Sequence, residues 1–104
     1  MAAEFIGAAW TVLGTATSLT TILGERVFWS ELHIRLADAS ANPLFVGASN
    51  VTAAGLFAFE EAPFGASPIG IVWRPSNGCK VSSDHVFLIG TAAAANIAYI
   101  SVIA

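Results

Sequence analysis

Ser82 to His85 is the segment of this chain in which the residue types of a hydrolytic triad stand together. Catalysis by a serine triad needs a hydroxyl, a general base and a carboxylate that orients the base, with each hydrogen-bonded to the next. Neighbouring residues on an extended chain point to opposite faces, so consecutive positions do not make that alignment. We favour a turn, in which Ser82, Ser83 and Asp84 bind the backbone before the next strand. The sequence therefore predicts a protein that is not an enzyme.

Glu31 and His33 are a candidate ion site, because a spacing of two places both side chains on one face of a strand. Two weak ligands without a third favour a solvated polar face over a metal site. Cys79 is the only cysteine in the chain, so neither an intrachain disulfide nor a cysteine-based zinc site can form. The glycines are scattered and make no phosphate-binding loop, so we expect no cofactor. Because the candidate ion site lacks a third ligand, we also expect no metal.

The composition indicates a protein that associates with other protein chains. The 104 residues suit one small domain, and charged residues make up 11% of them, against about 25% in an average soluble domain. We expect the missing polar surface to be covered by further copies, as a dimer or trimer, or by another protein. The net charge of −3 and four dispersed basic residues exclude a nucleic-acid footprint, which needs a basic patch.

Two uncharged runs raise the possibility of a membrane protein. Residues 5–24 and 86–104 approach the length of about 20 residues that a spanning helix needs. The first run is rich in threonine and glycine, and the second is interrupted by Gly90, Thr91 and Asn96. We therefore expect no membrane partner, and a small membrane protein is the weakest of the alternatives.

Period-two alternation of apolar and polar residues predicts an all-β protein. In the last strand, Ile97, Tyr99 and Ser101 alternate with residues that suit the opposite face. Further strands are predicted at residues 28–36, 44–46, 56–59, 69–74, 80–82 and 85–89. Seven to eight short strands with little helix indicate an antiparallel β-sandwich that is jelly-roll-like. One short helix is predicted within Ala16–Leu23, with Thr17 or Ser18 as its cap and Gly24 at its end.

Residues 1–24 differ from residues 25–104, which we expect to form the β-sandwich of a single domain. Glu4 is the only charged residue before Glu25, and the apolar periodicity is irregular. One interpretation is a first strand at about Ala8–Leu13 followed by a loop. The other is an arm that pairs with a neighbouring subunit, because termini become ordered only when something ties them down.

The large aromatic residues are the candidate interface residues. Trp29 shares the strand parity of Glu31 and His33, which predicts either a second packed layer or an interface anchor at that position. Aromatic residues also crowd between positions 57 and 64. The interface candidates are Phe5, Trp10, Trp29, Phe57, Phe59 and Phe64.

Two strand–turn segments have the same layout. Pro43–Gly55 and Ser82–Thr91 each contain a short apolar strand that ends at a glycine, Gly47 or Gly90, followed by small polar residues. The second segment leads into the alternating strand at Asn96–Ile103. From Glu25 onward this layout resembles the small β-sandwich structural proteins of tailed bacteriophage virions.

The resemblance implies a non-enzymatic role in the virion. The best single role that it implies is a capsid cement or decoration protein, which binds the major capsid protein, bridges its subunits and stabilises the shell. The resemblance also implies a location on the capsid surface, and in the host cytoplasm before assembly. After Gly55 the chain departs from the more usual Phe-Pro-Leu and has Leu-Phe-Ala. The alternative is a head–tail, tail or fibre-associated β-sandwich, including a carbohydrate-binding module.

Overall fold

The fold is all-β, as expected, and antiparallel throughout the residues that the computed structural model describes, 4–37, 42–62, 71–75 and 79–104. Within these residues, one short helix, α1 (Leu19–Leu23), and one 3₁₀ turn, Ser83–His85, accompany the strands. The strands are β1 Phe5–Thr11, β2 Thr17–Ser18, β3 Phe28–Trp29, β4 Glu31–Leu36, β5 Leu44–Gly47, β6 Ala58–Ala62, β7 Ile71–Trp73, β8 Val81–Ser82, β9 Phe87–Ile89 and β10 Ile97–Ile103.

The strand pairing is that of a jelly roll. One sheet has the order β1-β10-β4-β7 and the other has the order β2-β9-β5-β6. Leaving aside the short β3 and β8, the first strand pairs with the eighth, the second with the seventh, the third with the sixth and the fourth with the fifth. This is one long antiparallel ribbon rolled into two facing sheets, which makes two Greek keys. The jelly-roll-like sandwich predicted from the sequence is confirmed.

The short pair β3·β8 continues the ribbon where it passes from one sheet to the other. β3 lies in the chain between β2 and β4, and β8 lies between β7 and β9, so their pairing joins the ladders on either side. Trp29 is opposite Val81, and Ser30 then donates its backbone N–H to Ile103 at 2.8 Å. The chain thereby enters the first sheet at β4.

The core lies between the two sheets, because each central strand buries alternate residues. In β10, Ala98, Ile100 and Val102 are buried while Tyr99 and Ser101 face solvent, so the predicted alternation is confirmed. The second sheet contributes an equivalent inner face. The buried apolar residues that pack together in this core are Val12, Leu19, Val27, Trp29, Leu32, Ile34, Leu36, Leu44, Val46, Val86, Leu88, Ala98, Ile100 and Val102.

Helix α1 forms where the sequence predicts it. The Ser18 hydroxyl accepts the backbone N–H of Thr21 at 3.1 Å, which satisfies one of the free donors of the first turn. Gly24 has a φ of 84° and donates its N–H to the carbonyl of Thr20, which is a left-handed cap that glycine adopts without steric cost. The buried Leu19 anchors the helix in the core.

Two sequence-based expectations differ from the structure in detail. The single strand predicted for residues 28–36 breaks at Ser30, so Phe28 is exposed and does not share the buried face of Leu32. The strand predicted for residues 56–59 begins at Ala58, because residues 48–57 form a longer turn. The Asn-Gly pair at residues 77–78, whose sequence predicts a hairpin turn, lies outside the described residues.

Residues 5–11 form a strand of the sandwich. β1 pairs with β10 over its whole length, from Phe5 opposite Ile103 to Thr11 opposite Ile97. The strand therefore begins three residues earlier than the predicted Ala8. Of the two interpretations of the N-terminal segment, the structure shows the strand rather than a separate arm.

Candidate interaction surfaces

One end of the sandwich gathers large apolar side chains that face solvent. Phe5 at the start of β1 shares a row with Ile103 and with Glu31 at the start of β4. At the opposite end, Gly90 lies close to both Val12 and Pro43, so β5 begins there and runs toward the end that holds Phe5. The turn at residues 48–57 therefore lies at the same end as Phe5. We call this surface the aromatic end. Its exposed apolar residues are Phe5, Phe28, Leu56, Phe57 and Phe59.

Exposure at the aromatic end is large enough to matter for binding. The relative exposure is 76% for Phe5, 61% for Leu56 and 64% for Phe57. Isolated apolar residues on a surface are ordinary, whereas a contiguous apolar patch is what marks an interaction site. Arg26 lies over the ring of Phe28, 5.7 Å from its centroid, and adds a cation to this otherwise apolar surface.

Phe57 is held in a strained backbone conformation. Its φ is 61°, which is rare for a residue with a bulky side chain, and it is the one such non-glycine residue among those described. Its carbonyl oxygen would lie 2.4 Å from a Cβ added to Gly47, so the turn packs directly on the backbone of β5. Gly55, in the same turn, also has a left-handed backbone conformation, with a φ of 83°. The fold therefore fixes the turn tightly while the Phe57 ring projects into solvent.

Phe59 connects the aromatic end to the core through two tryptophans. The rings of Phe59 and Trp73 have centroids 4.5 Å apart, and those of Trp73 and Trp29 are 5.0 Å apart in an edge-to-face arrangement. Trp29 has no exposed surface, and its indole N–H finds no hydrogen-bond partner among the described residues. The surface residue Phe59 is therefore connected by ring contacts, through Trp73, to the buried Trp29.

The six interface candidates have different positions. Phe5, Phe57 and Phe59 are exposed at the aromatic end, and Trp10 is half-buried on the inner side of β1. Trp29 lies in the core, so of its two predicted roles it has that of a packed residue and not that of an exposed interface anchor. The strand breaks at Ser30, and this break reverses the alternation on which the anchor interpretation depended. Phe64 lies outside the described residues.

Two residues of the aromatic end were not among the sequence-based candidates. Phe28 was assigned to the buried face of a longer strand, and Leu56 was assigned to a strand that begins two residues later. The adjacent pair Leu56-Phe57 carried a usable signal, because neighbouring residues on a strand face opposite sides and cannot both be buried in a two-layer fold.

Ser83 and its neighbours form a polar corner with a structural geometry. The Ser83 hydroxyl is fully buried and accepts the backbone N–H of Val27 at 2.8 Å. Its oxygen lies 2.6 Å from that of Thr20, whose hydroxyl donates to Asp84 at 2.5 Å. Because Thr20 has one proton and gives it to the carboxylate, Ser83 donates to Thr20. The segment acts as the predicted turn and ties α1 to the β3 region.

Glu31 connects two basic side chains on the outer face of the first sheet. Its Oε1 accepts from Arg74 Nη2 at 2.8 Å and lies 3.0 Å from His33 Nε2. The hydrogen bond from Arg74 lowers the pKa of Glu31 below its ordinary value, and the charges of Arg74 and His33 act in the same direction against the effect of burial. This is the predicted polar face, with Arg74 as a third member.

The outer face of the first sheet also contains a shallow depression of about 660 Å³. Small residues, Gly7 and Ser101, form its floor, because they are opposite each other in the β1·β10 register and His33 follows in the next strand. Tyr99, which is half exposed, and Arg35 are opposite each other in the neighbouring row. The depression combines an aromatic ring with hydrogen-bonding groups.

Within the described residues no group of three or more histidine, cysteine, aspartate or glutamate side chains is placed to hold a metal ion. Among the same residues, no helix has the length and apolarity to cross a membrane. Comparison of the chain with known protein families, with curated proteins and with solved structures gives no match.

Proposed function

We propose that this protein is a non-enzymatic structural component of a tailed-bacteriophage virion, a capsid cement or decoration protein that bridges subunits of the major capsid protein. The observation that carries the proposal is the aromatic end, where Phe5, Leu56 and Phe57 are exposed on a rigid jelly roll. The strand–turn resemblance supplies the biological setting, the capsid surface after assembly in the host cytoplasm.

The proposed mechanism is thermodynamic. Each apolar side chain that moves from water into a protein contact stabilises the complex by about 25 cal/mol per Å² of buried apolar surface. A ligand that binds only the assembled shell shifts the equilibrium toward that shell by mass action. Self-association as a dimer or trimer would let one assembly contact several capsid subunits, and the low charge of 11% agrees with such covered surfaces.

Capsid binding tests the proposal. Purified protein would be mixed with capsids of the same phage that lack it, sedimented and assayed for bound protein, and the thermal rupture of the capsids would be followed. We expect wild type to bind and to raise the rupture temperature, and the doubly substituted variant Leu56→Ser/Phe57→Ser to bind at least tenfold more weakly. Tyr99→Ser is the matched control, because it removes an exposed aromatic ring elsewhere. Absence of wild-type binding would contradict the proposal.

A second candidate function is a tail- or fibre-associated module that binds carbohydrate. The depression on the outer face favours it, because Tyr99 offers a ring on which a sugar can stack and Arg35 and His33 offer hydrogen bonds. Binding of bacterial surface polysaccharide that is lost in Tyr99→Ser and kept in Leu56→Ser/Phe57→Ser would favour this candidate over the cement protein.

A further inference from the structure

The free edge of β1 differs from the other sheet edges within the described residues. β2 has two residues, β7 has three and is followed by Arg74 and Pro75, and β6 contains Glu60 and Glu61. Short length, proline and charge are the devices that keep an edge from pairing with another chain. Phe5–Thr11 has none of these three, because it is seven residues long, uncharged, free of proline and in continuous register with β10. Helix α1 contacts β1, but no hydrogen bond of the described residues joins it to the strand's edge.

The outward backbone groups of β1 follow from its pairing with β10. Ala104 donates its N–H to the carbonyl of Glu4 at 2.8 Å, and Val12 donates to the carbonyl of Asn96 at 2.9 Å. Hydrogen-bonded positions alternate in an antiparallel ladder, so the even-numbered residues bond to β10. The N–H and C=O groups of the odd-numbered residues point away from the sheet, and no described residue bonds to them. These residues are Phe5, Gly7, Ala9 and Thr11.

We propose that β1 pairs antiparallel with β1 of a second copy, about a two-fold axis at Ala8, to make one continuous sheet across a dimer. The proposal names the interface of the self-association included in the proposed function and rests on that part of it alone. A two-fold interface uses the same surface on both chains, so the strand must complement itself.

The register centred at Ala8 meets that requirement. It places Phe5 opposite Thr11 and Gly7 opposite Ala9, and each of these pairs exchanges both outward N–H and C=O groups. Ile6 then stands opposite Trp10 in a pair without backbone hydrogen bonds, where side chains are closest and an aromatic ring packs well on a β-branched neighbour.

Burial and charge support the same arrangement. Ile6 and Trp10 pack against the core and are only half-buried, since β1 is the last strand of its sheet. A second β1 alongside covers both side chains. Glu4 adjoins the strand, and antiparallel pairing sets the two copies of this carboxylate at opposite ends, whereas parallel pairing would place them side by side.

Disulfide trapping tests the register. Ala8→Cys is made in a Cys79→Ser background, because Cys79 is exposed and would cross-link on its own. Opposed residues without backbone hydrogen bonds have Cα atoms about 4.5 Å apart, within the range of a disulfide. We expect mild oxidation to give mostly cross-linked dimer from Ala8→Cys and little from Ala9→Cys, whose two copies are diagonal rather than opposed. Equal cross-linking of both variants, or of neither, would overturn the proposal.

Ala9→Pro tests the edge without a cross-link. The N–H of Ala9 points outward, so proline removes a donor to the second copy and no donor to β10. We expect wild type to have the mass of a dimer by light scattering, and Ala9→Pro to have the mass of a monomer with an unchanged circular dichroism spectrum. A wild-type monomer or trimer, or an Ala9→Pro dimer, would overturn the β1 interface. A wild-type trimer would contradict the β1 interface but would remain compatible with the proposed capsid function.

Discussion

Phe57 combines backbone strain with an exposed aromatic ring, which is a costly arrangement for the free protein. A left-handed φ at a residue other than glycine costs about 1–3 kcal/mol, and such strain is retained where the surrounding structure or a function demands it. At Phe57 the surrounding structure is the close packing of the turn on Gly47. The proposed function supplies the reason for the ring itself, since the turn presents it to a partner.

Phe57→Asn therefore separates stability from binding. Asparagine tolerates the left-handed conformation, so we expect the variant to be more stable than wild type by about 1 kcal/mol in urea unfolding, and weaker in capsid binding. Leu56→Asn is the matched control, because it removes a neighbouring exposed apolar side chain that does not have a positive φ. If Phe57→Asn is less stable than Leu56→Asn, the strain argument is wrong.

Glu31 predicts a dependence of stability on acid pH. Its pKa is lowered in the folded protein by the hydrogen bond from Arg74. A lowered folded-state pKa contributes stability that is fully present above the ordinary glutamate pKa and is lost as the pH falls through the lowered one. We expect Glu31→Gln to melt below wild type at pH 7 and the difference to vanish in acid.

Arg74→Gln provides the control for the Glu31 prediction. In its background the substitution Glu31→Gln should have a smaller effect at pH 7, because the largest cause of the pKa shift is already absent. A melting difference that is the same at pH 7 and in acid would show that the ion cluster does not couple to folding.

At the scale of single elements, the turn at residues 48–57 depends on a glycine in β5. A Cβ at Gly47 would lie 2.4 Å from the Phe57 carbonyl oxygen and 2.9 Å from the Ala58 Cα, and both are backbone atoms that cannot move aside alone. We expect Gly47→Ala to destabilise the protein by about 1–3 kcal/mol in urea unfolding. Gly7→Ala is the control, since its added Cβ meets nothing closer than 3.6 Å and should be neutral or slightly stabilising.

β1 is an integral strand, and its removal should prevent folding. Deleting residues 2–14 removes the whole ladder with β10, the buried Val12 and the half-buried Ile6 and Trp10. An arm, in contrast, could be deleted with the fold intact. We expect the truncated chain to lose the cooperative unfolding transition that wild type shows by circular dichroism. A folded β-protein after the deletion would contradict the assignment of β1 to the sheet.

Local alternation predicted most strands, but it could not predict their partners. The capped helix α1, the alternation of β10 and the turn at Ser82–Asp84 all depend on neighbours in sequence, so they were predicted correctly. Ser83 and Thr20 are 63 positions apart, and no local pattern reveals their bond. The placement of Trp29 on the same strand face as Glu31 and His33 was wrong for the same reason, because the strand breaks at Ser30, where the ribbon changes sheets.

The aromatic end likewise exists only in the folded molecule. Phe5, Phe28 and the Leu56-Phe57 turn are far apart in sequence and share one end because the ribbon is rolled into a jelly roll. Composition alone predicted that surface of this chain is covered by other protein, without showing which surface. The fold leaves the large apolar residues of three separate segments exposed on one end and the strand β1 at a sheet edge, and we propose these as the covered surfaces.

Cryo-electron microscopy of virions from the phage that carries this chain tests the proposed function most directly. We expect density of the size of this jelly roll over the junctions between major capsid subunits, with Phe5 and the Leu56-Phe57 turn facing the shell. Virions without this protein, or density confined to the tail, would contradict the capsid cement proposal.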